Sequence, residues 1–156
     1  MILSCILVFN LLVLYSFLVS KKHLHLFEIL VYFFTFSFLL QDFVAIIWVN
    51  LGLVEVTEKI DLYWGVVFNR MILFPILQVW FLNLYANAES WVRKLFLFVI
   101  YDAVLVVVIG LTARLGLIKL IHWNLGGAAI YWTVSLLLGI WMRKGFLKLL
   151  YAEVKC

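Results

Sequence analysis

The sequence predicts an all-α fold, a polytopic bundle of five transmembrane helices, and three observations predict it. The 156-residue chain is 68% hydrophobic and only 13% charged, where a soluble domain carries roughly 25% charged residues. Its mean hydropathy is +1.19. Its apolar stretches are continuous and long enough to cross a bilayer, which takes about 20 residues per helix, and they do not alternate as the strands of a membrane barrel do. A water-soluble globule made of this chain would lack the polar surface to cover itself, whereas a lipid solvent demands none. Connections between the stretches are short, so residues 1–156 are expected to form a single transmembrane domain.

The spans are expected near 2–19, 26–48, 63–86, 95–115 and 124–143. Span one opens on Leu3-Ser4-Cys5, which has the look of a lipoprotein signal end. The apolar run comes after that cysteine, where a signal places it before, so the run reads as a retained span. Span two carries Glu28, Thr35 and Asp42 seven residues apart, hence on one helix face. Span three contains Arg70 and Pro75, and the proline frees the carbonyl of Met71 and predicts a kink. Span four holds Asp102. Span five opens on the narrow run "WNLGGAAIYW", and Ser135 with Gly139, like Thr112 with Gly116 on span four, is spaced for close helix approach. The tail "RKGFLKLLYAEVKC" places Lys144, Lys148 and Lys155 on one face and Phe146, Leu149 and Leu150 towards another, a pattern suited to the surface of an anionic leaflet.

Orientation follows from Lys and Arg near the span ends. Lys21, Lys22, Arg93, Lys94, Arg143, Lys144, Lys148 and Lys155 collect on one side, against Lys59, Arg114 and Lys119 on the other. The N-terminus is therefore expected outside and the C-terminus in the cytoplasm. Trp48, Tyr63, Trp64 and Trp123 then fall at the outer interface, with Trp91 and Trp141 at the inner one. The net charge of +4 is that of a rim meeting anionic lipid, and no nucleic-acid partner is expected. Cys5 and Cys156 fall on opposite faces and cannot bridge within one chain.

Charges inside the spans carry the candidate sites, because a lone charge at mid-bilayer costs upward of roughly 2.5–3.5 kcal/mol and seeks a partner or a wet cavity. Asp42 lies six residues before Trp48 and Arg70 six after Trp64, which puts both about 9 Å below the outer rim at 1.5 Å per residue. Spans two and three are joined by a short loop, so an intramembrane Asp42–Arg70 salt bridge is expected. Asp102, in the inner half of span four, lies nearer the level of Gln78 and Asn83 and is expected to be protonated and bonded to an amide, in a buried network that extends to Glu28. Glu28 itself is expected near the inner headgroups, in water. His23, His25 and Glu28 share a loop, yet His-x-His suits a strand better than a helix face and zinc wants three or four converging ligands. No metal or other cofactor is expected. Nucleophile–base spacings, zinc-protease motifs and phosphate loops are lacking, so the chain is not expected to be an enzyme.

The aspartate late in span two (Asp42), "RMILFP" (Arg70 to Pro75) and "HWN" (His122 to Asn124) together resemble a group of small five-span membrane proteins of spore-forming Gram-positive bacteria, over residues 40–140. Where that group tends to have Gly-Asp, this chain has Gln41-Asp42. The resemblance implies a bacterial plasma membrane and brings no activity with it. The function expected from the residues is that of a non-enzymatic accessory or interaction subunit, bound to the lipid bilayer and to a membrane-protein partner or further copies of itself. The alternative is a small oligomeric transporter or channel subunit with a polar path through Glu28, Asp42, Arg70 and Asp102.

Overall fold

A computed structural model describes residues 1–153, with side chains as far as Lys148. Leu149 and Leu150 of the amphipathic tail therefore have no described side chains, and Lys155 and Cys156 lie outside the described residues. Five helices are long and apolar enough to cross a membrane: Ile2–Val19, Leu26–Asn50, Ile60–Asn87, Trp91–Arg114 and Leu125–Lys148. Each overlaps an expected span, with ends shifted by a few residues.

Span one is α1 (Ile2–Val19). It stops where Ser20 turns extended and the Lys22 ammonium folds back to donate to the Phe17 carbonyl. Span two is α2 (Leu26–Val44), continued by a π-helical segment, Ala45–Asn50. Its first turn is closed by a capping box. His25 Nδ1 accepts from the Phe27 amide at 3.3 Å and Glu28 Oε2 from the His25 amide at 2.8 Å, satisfying donors that the helix cannot. Glu28 is thus a buried cap and not the solvated headgroup-level residue the sequence suggested.

Span three runs as α3 (Ile60–Phe68), a π-helical turn at Asn69–Leu73, and α4 (Phe74–Asn87). Pro75 occupies the first turn of α4, and the wider π turn just before it absorbs the register lost with its missing N–H. This is the central helix. In its most apolar window 67% of residues are buried, against 17–28% in the other four spans, and α4 packs on α1, α2, α5 and α6.

Spans four and five are α5 (Trp91–Arg114) and α6 (Leu125–Glu153). Ser90 caps α5 by accepting from the Arg93 amide at 3.2 Å. At its far end Gly116, at φ +74°, closes a Schellman turn, with Leu117 N donating to Thr112 O and Gly116 N to Ala113 O. Gly116 is therefore a terminator and not the packing partner of Thr112. Gly139 does pack as its spacing suggested, since a Cβ there would lie 2.5 Å from Phe36 Cζ. The helix α6 runs through Arg143–Lys144 without a break, so the tail extends the last span as far as Glu153.

Two three-residue strands, β1 (Val54–Val56) and β2 (Ile118–Leu120), pair antiparallel with Glu55 opposite Lys119. They join the loop after span two to the loop after span four. Val54 and Ile118 turn inward and are buried, whereas Glu55 and Lys119 point to solvent and form an ion pair at 3.8 Å. The sheet thereby closes one end of the bundle. Met1 shares a cavity with Leu115 and Leu117 at the same end.

Candidate functional site

The sequence-derived site was a set of polar residues within the spans, and the structure distributes them over several separate places. Arg70 stands on the π turn of span three, and its Nη2 donates to Gln41 Oε1. Asp42 is not its partner. The only ion pair among the described residues is Glu55–Lys119, so the expected intramembrane salt bridge gives way to a charge–amide bond one residue earlier on span two. The reason is angular. Tyr32, Phe36, Leu40 and Val44 form the buried stripe of α2, and residues four apart advance around a helix by about 40° per step. The heptad Glu28–Thr35–Asp42 runs nearly straight, so the two stripes part company along the span. Asp42 is two residues from both Leu40 and Val44, about 200° round the helix from each, and it is exposed.

The outward face of span two is accordingly a line of residues four apart, Phe34, Phe38 and Asp42 on α2 and Ile46 on the π-helical continuation. Its apolar members are 57%, 69% and 53% exposed. Asp42 is the single ionisable group in that line, and its side chain makes no hydrogen bond or ion pair with any described residue.

The expected Asp102–Gln78–Asn83–Glu28 network is also replaced by separate local bonds. Asp102 is half-buried and accepts from Thr133 Oγ1 at 3.3 Å, tying α5 to α6. Gln78, fully buried, accepts from Ser135 Oγ. The buried Asn83 pins the loop before α2, donating to Lys21 O at 2.9 Å and accepting from the amides of His23 at 2.7 Å and Leu24 at 3.3 Å. Glu28 serves its capping box. Each bond spans one local contact, α5 to α6, α4 to α6, α4 to the loop before α2, or the cap of α2, and none joins these four residues to one another.

A further polar contact escaped the sequence reading. Asn10, the one amide within span one, donates to Asn69 Oδ1 and to Ile6 O, both at 2.9 Å. It is buried and locks α1 to the π turn that carries Arg70. The signal for it was available: a polar side chain in an otherwise apolar span must find a partner.

Around Arg70 the geometry closes into a small chamber of about 20 Å³. Phe74 and Leu40 line it, together with Val54, Ile118 and Leu120 of the sheet. Trp48, expected in the interfacial belt, instead turns inward and is buried, with the guanidinium carbon 5.8 Å from its ring centre. On α6, Tyr131 stacks on Phe43 at 3.7 Å and Trp132 on Phe74 at 4.9 Å, which fixes both rings against the chamber.

No family model, curated protein or solved structure matches this chain.

Proposed function

We propose that the chain is a five-span plasma-membrane protein with its N-terminus outside and its C-terminus in the cytoplasm, and that it works as a non-enzymatic interaction subunit of a membrane complex. The observation that carries this reading is the outward stripe Phe34–Phe38–Asp42–Ile46. A carboxyl group in the middle of an apolar, lipid-facing helix stripe is costly unless something satisfies it. Its own bundle offers no cation, since Arg70 is bound by Gln41 on another side of α2. The matching surface is a transmembrane helix of another chain that carries an Arg, Lys or hydroxyl donor among apolar residues, where an interhelical polar contact is worth about 0.6–2 kcal/mol.

A transport path through Glu28, Asp42, Arg70 and Asp102 has less in its favour. Glu28 caps a helix, Asp42 is exposed and bonded to neither Arg70 nor Asp102, and Asp102 answers to Thr133. The separation of these residues supports a packed scaffold over a polar conduit.

The test is purification of the tagged chain from its native membrane in mild detergent, wild type beside Asp42→Leu. A partner recovered in fixed stoichiometry with the wild type and lost from Asp42→Leu, at equal levels of the tagged chain, is the expected result. An identical set of companions for both proteins would refute the docking role of Asp42.

A further inference from the structure

Where α5 begins and α6 runs on past Arg143, the two helices leave a fissure of about 250 Å³ between them. Leu95 and Phe98 of α5 and Leu137 and Ile140 of α6 form its apolar lining. Tyr85 of α4 and two residues early in α5, Trp91 and Lys94, complete it. Two of the walls are held by the core. Phe81, fully buried, packs against Phe98 at 6.1 Å and against Tyr85 at 5.5 Å between ring centres. Leu95 and Leu137, in contrast, are exposed and present hydrocarbon to the surroundings.

Polarity is graded along the fissure. The Asp102–Thr133 bond sets the register of the antiparallel pair α5 and α6. Counted from it at equal rise, Phe98 is level with Leu137, Leu95 with Ile140, and Trp91 with Lys144. Lys144 follows Ile140 by four residues and Leu137 by seven, so it shares their face of α6. The apolar side chains therefore lie deeper in the membrane, and two ammonium groups, one from each helix, stand at the mouth. Neither Lys94 nor Lys144 forms an ion pair with any described residue. Lys94 Nζ has only the Tyr85 ring for company, 5.7 Å from its centre. No carboxylate lines the fissure, and Glu89, just before the cap of α5, is exposed outside it.

These features select the occupant. Two turns of a helix about 10 Å across fill roughly 800 Å³, far more than the 250 Å³ present, whereas one acyl chain is narrow enough to enter. Unpaired cations beside tryptophan and tyrosine at headgroup depth attract an anionic phosphate group. A zwitterionic headgroup would bring an ammonium for which the fissure has no carboxylate. We propose that the fissure binds one anionic phospholipid, with an acyl chain along Leu95, Phe98, Leu137 and Ile140 and the headgroup phosphate between Lys94 and Lys144. The site requires only that the chain lies in a membrane, and it is independent of the docking role given to Asp42.

The experiment is native mass spectrometry of the delipidated full chain in neutral detergent, mixed with equal amounts of phosphatidylglycerol and phosphatidylethanolamine. The wild type should carry one lipid, phosphatidylglycerol several-fold over phosphatidylethanolamine. Lys94→Gln combined with Lys144→Gln should bring that ratio close to one. Lys21→Gln removes a cation from the same end of the bundle, away from the fissure, and should leave the ratio unchanged. The unfolding temperature of each variant without added lipid reports separately whether it folds. Excess inorganic phosphate should not displace the lipid, and displacement would mean a free-anion site in place of a lipid site. Equal retention of the two lipids by the wild type would overturn the proposal, as would a preference that survives the double substitution. A loss as large in Lys21→Gln would reduce the effect to diffuse attraction by the basic rim. Recovery of the wild type only as a lipid-free dimer would assign the fissure to a second copy of the chain.

Discussion

Gln41 and Asp42 are neighbours in sequence, and the 100° between adjacent residues of a helix gives them opposite tasks. Gln41 faces Arg70 and accepts its hydrogen bond, while Asp42 faces outward. A hydrogen bond to a charged group is worth about 1.5–3 kcal/mol, and its loss leaves the charge unserved. Gln41→Leu should therefore destabilise the purified chain by about that amount, whereas Asp42→Leu should cost nothing in the isolated protein. Unfolding by heat or by graded SDS measures both. A larger loss for Asp42→Leu than for Gln41→Leu would restore the salt bridge. The sequence located this contact in depth to within one residue, because both ends could be counted from tryptophans. It could not resolve direction around the helix, since the buried stripe of α2 recurs every four residues and drifts away from the heptad that was read. The inward turn of Tyr131 and Trp132 is not legible in the sequence for a different reason. Aromatic residues near a span end fit an interfacial belt equally well, and only the fold turns their polar atoms inward.

Elements whose signal is contiguous hydropathy were legible: all five spans appear, and Gly139 packs as its spacing implied. The close approach there is tight enough to test. Gly139→Ala should cost about 1–3 kcal/mol through overpacking against Phe36, and Phe36→Leu in the same chain should recover most of it. A neutral Gly139→Ala would mean that α6 sits further from α2 than described. The β1–β2 sheet was not legible. Its strands, "VEV" and "IKL", do alternate apolar and charged residues, but three residues carry too little periodicity, and their pairing joins segments more than sixty positions apart. The Glu55–Lys119 pair across it is exposed and adds little stability. The buried valine and isoleucine hold the sheet down. The π turn at Asn69–Leu73 was likewise signalled only indirectly, by Pro75, and the expectation of a kink missed how the extra backbone could be absorbed within a continuous helix.

At the scale of the whole molecule, span three forms the axis and its four neighbours form the surface, with Asn10–Asn69, Gln41–Arg70, Gln78–Ser135 and Asp102–Thr133 hydrogen-bonded pairwise between adjacent helices. Such a bundle needs no conduit to explain its interior. Asp42 stands outside these pairs on an exposed face, and that residue sets the function proposed for the chain. The most direct measurement is photocrosslinking in the native membrane, with a photoreactive amino acid placed singly at Phe34, Phe38 or Ile46 on the α2 stripe and at Val99 or Val107, exposed on α5, for comparison. The account predicts one discrete crosslinked product from the three α2 positions, absent from the α5 positions and lost when Asp42→Leu is added. Crosslinks of equal yield from both helices, or α2 crosslinks indifferent to Asp42, would contradict it.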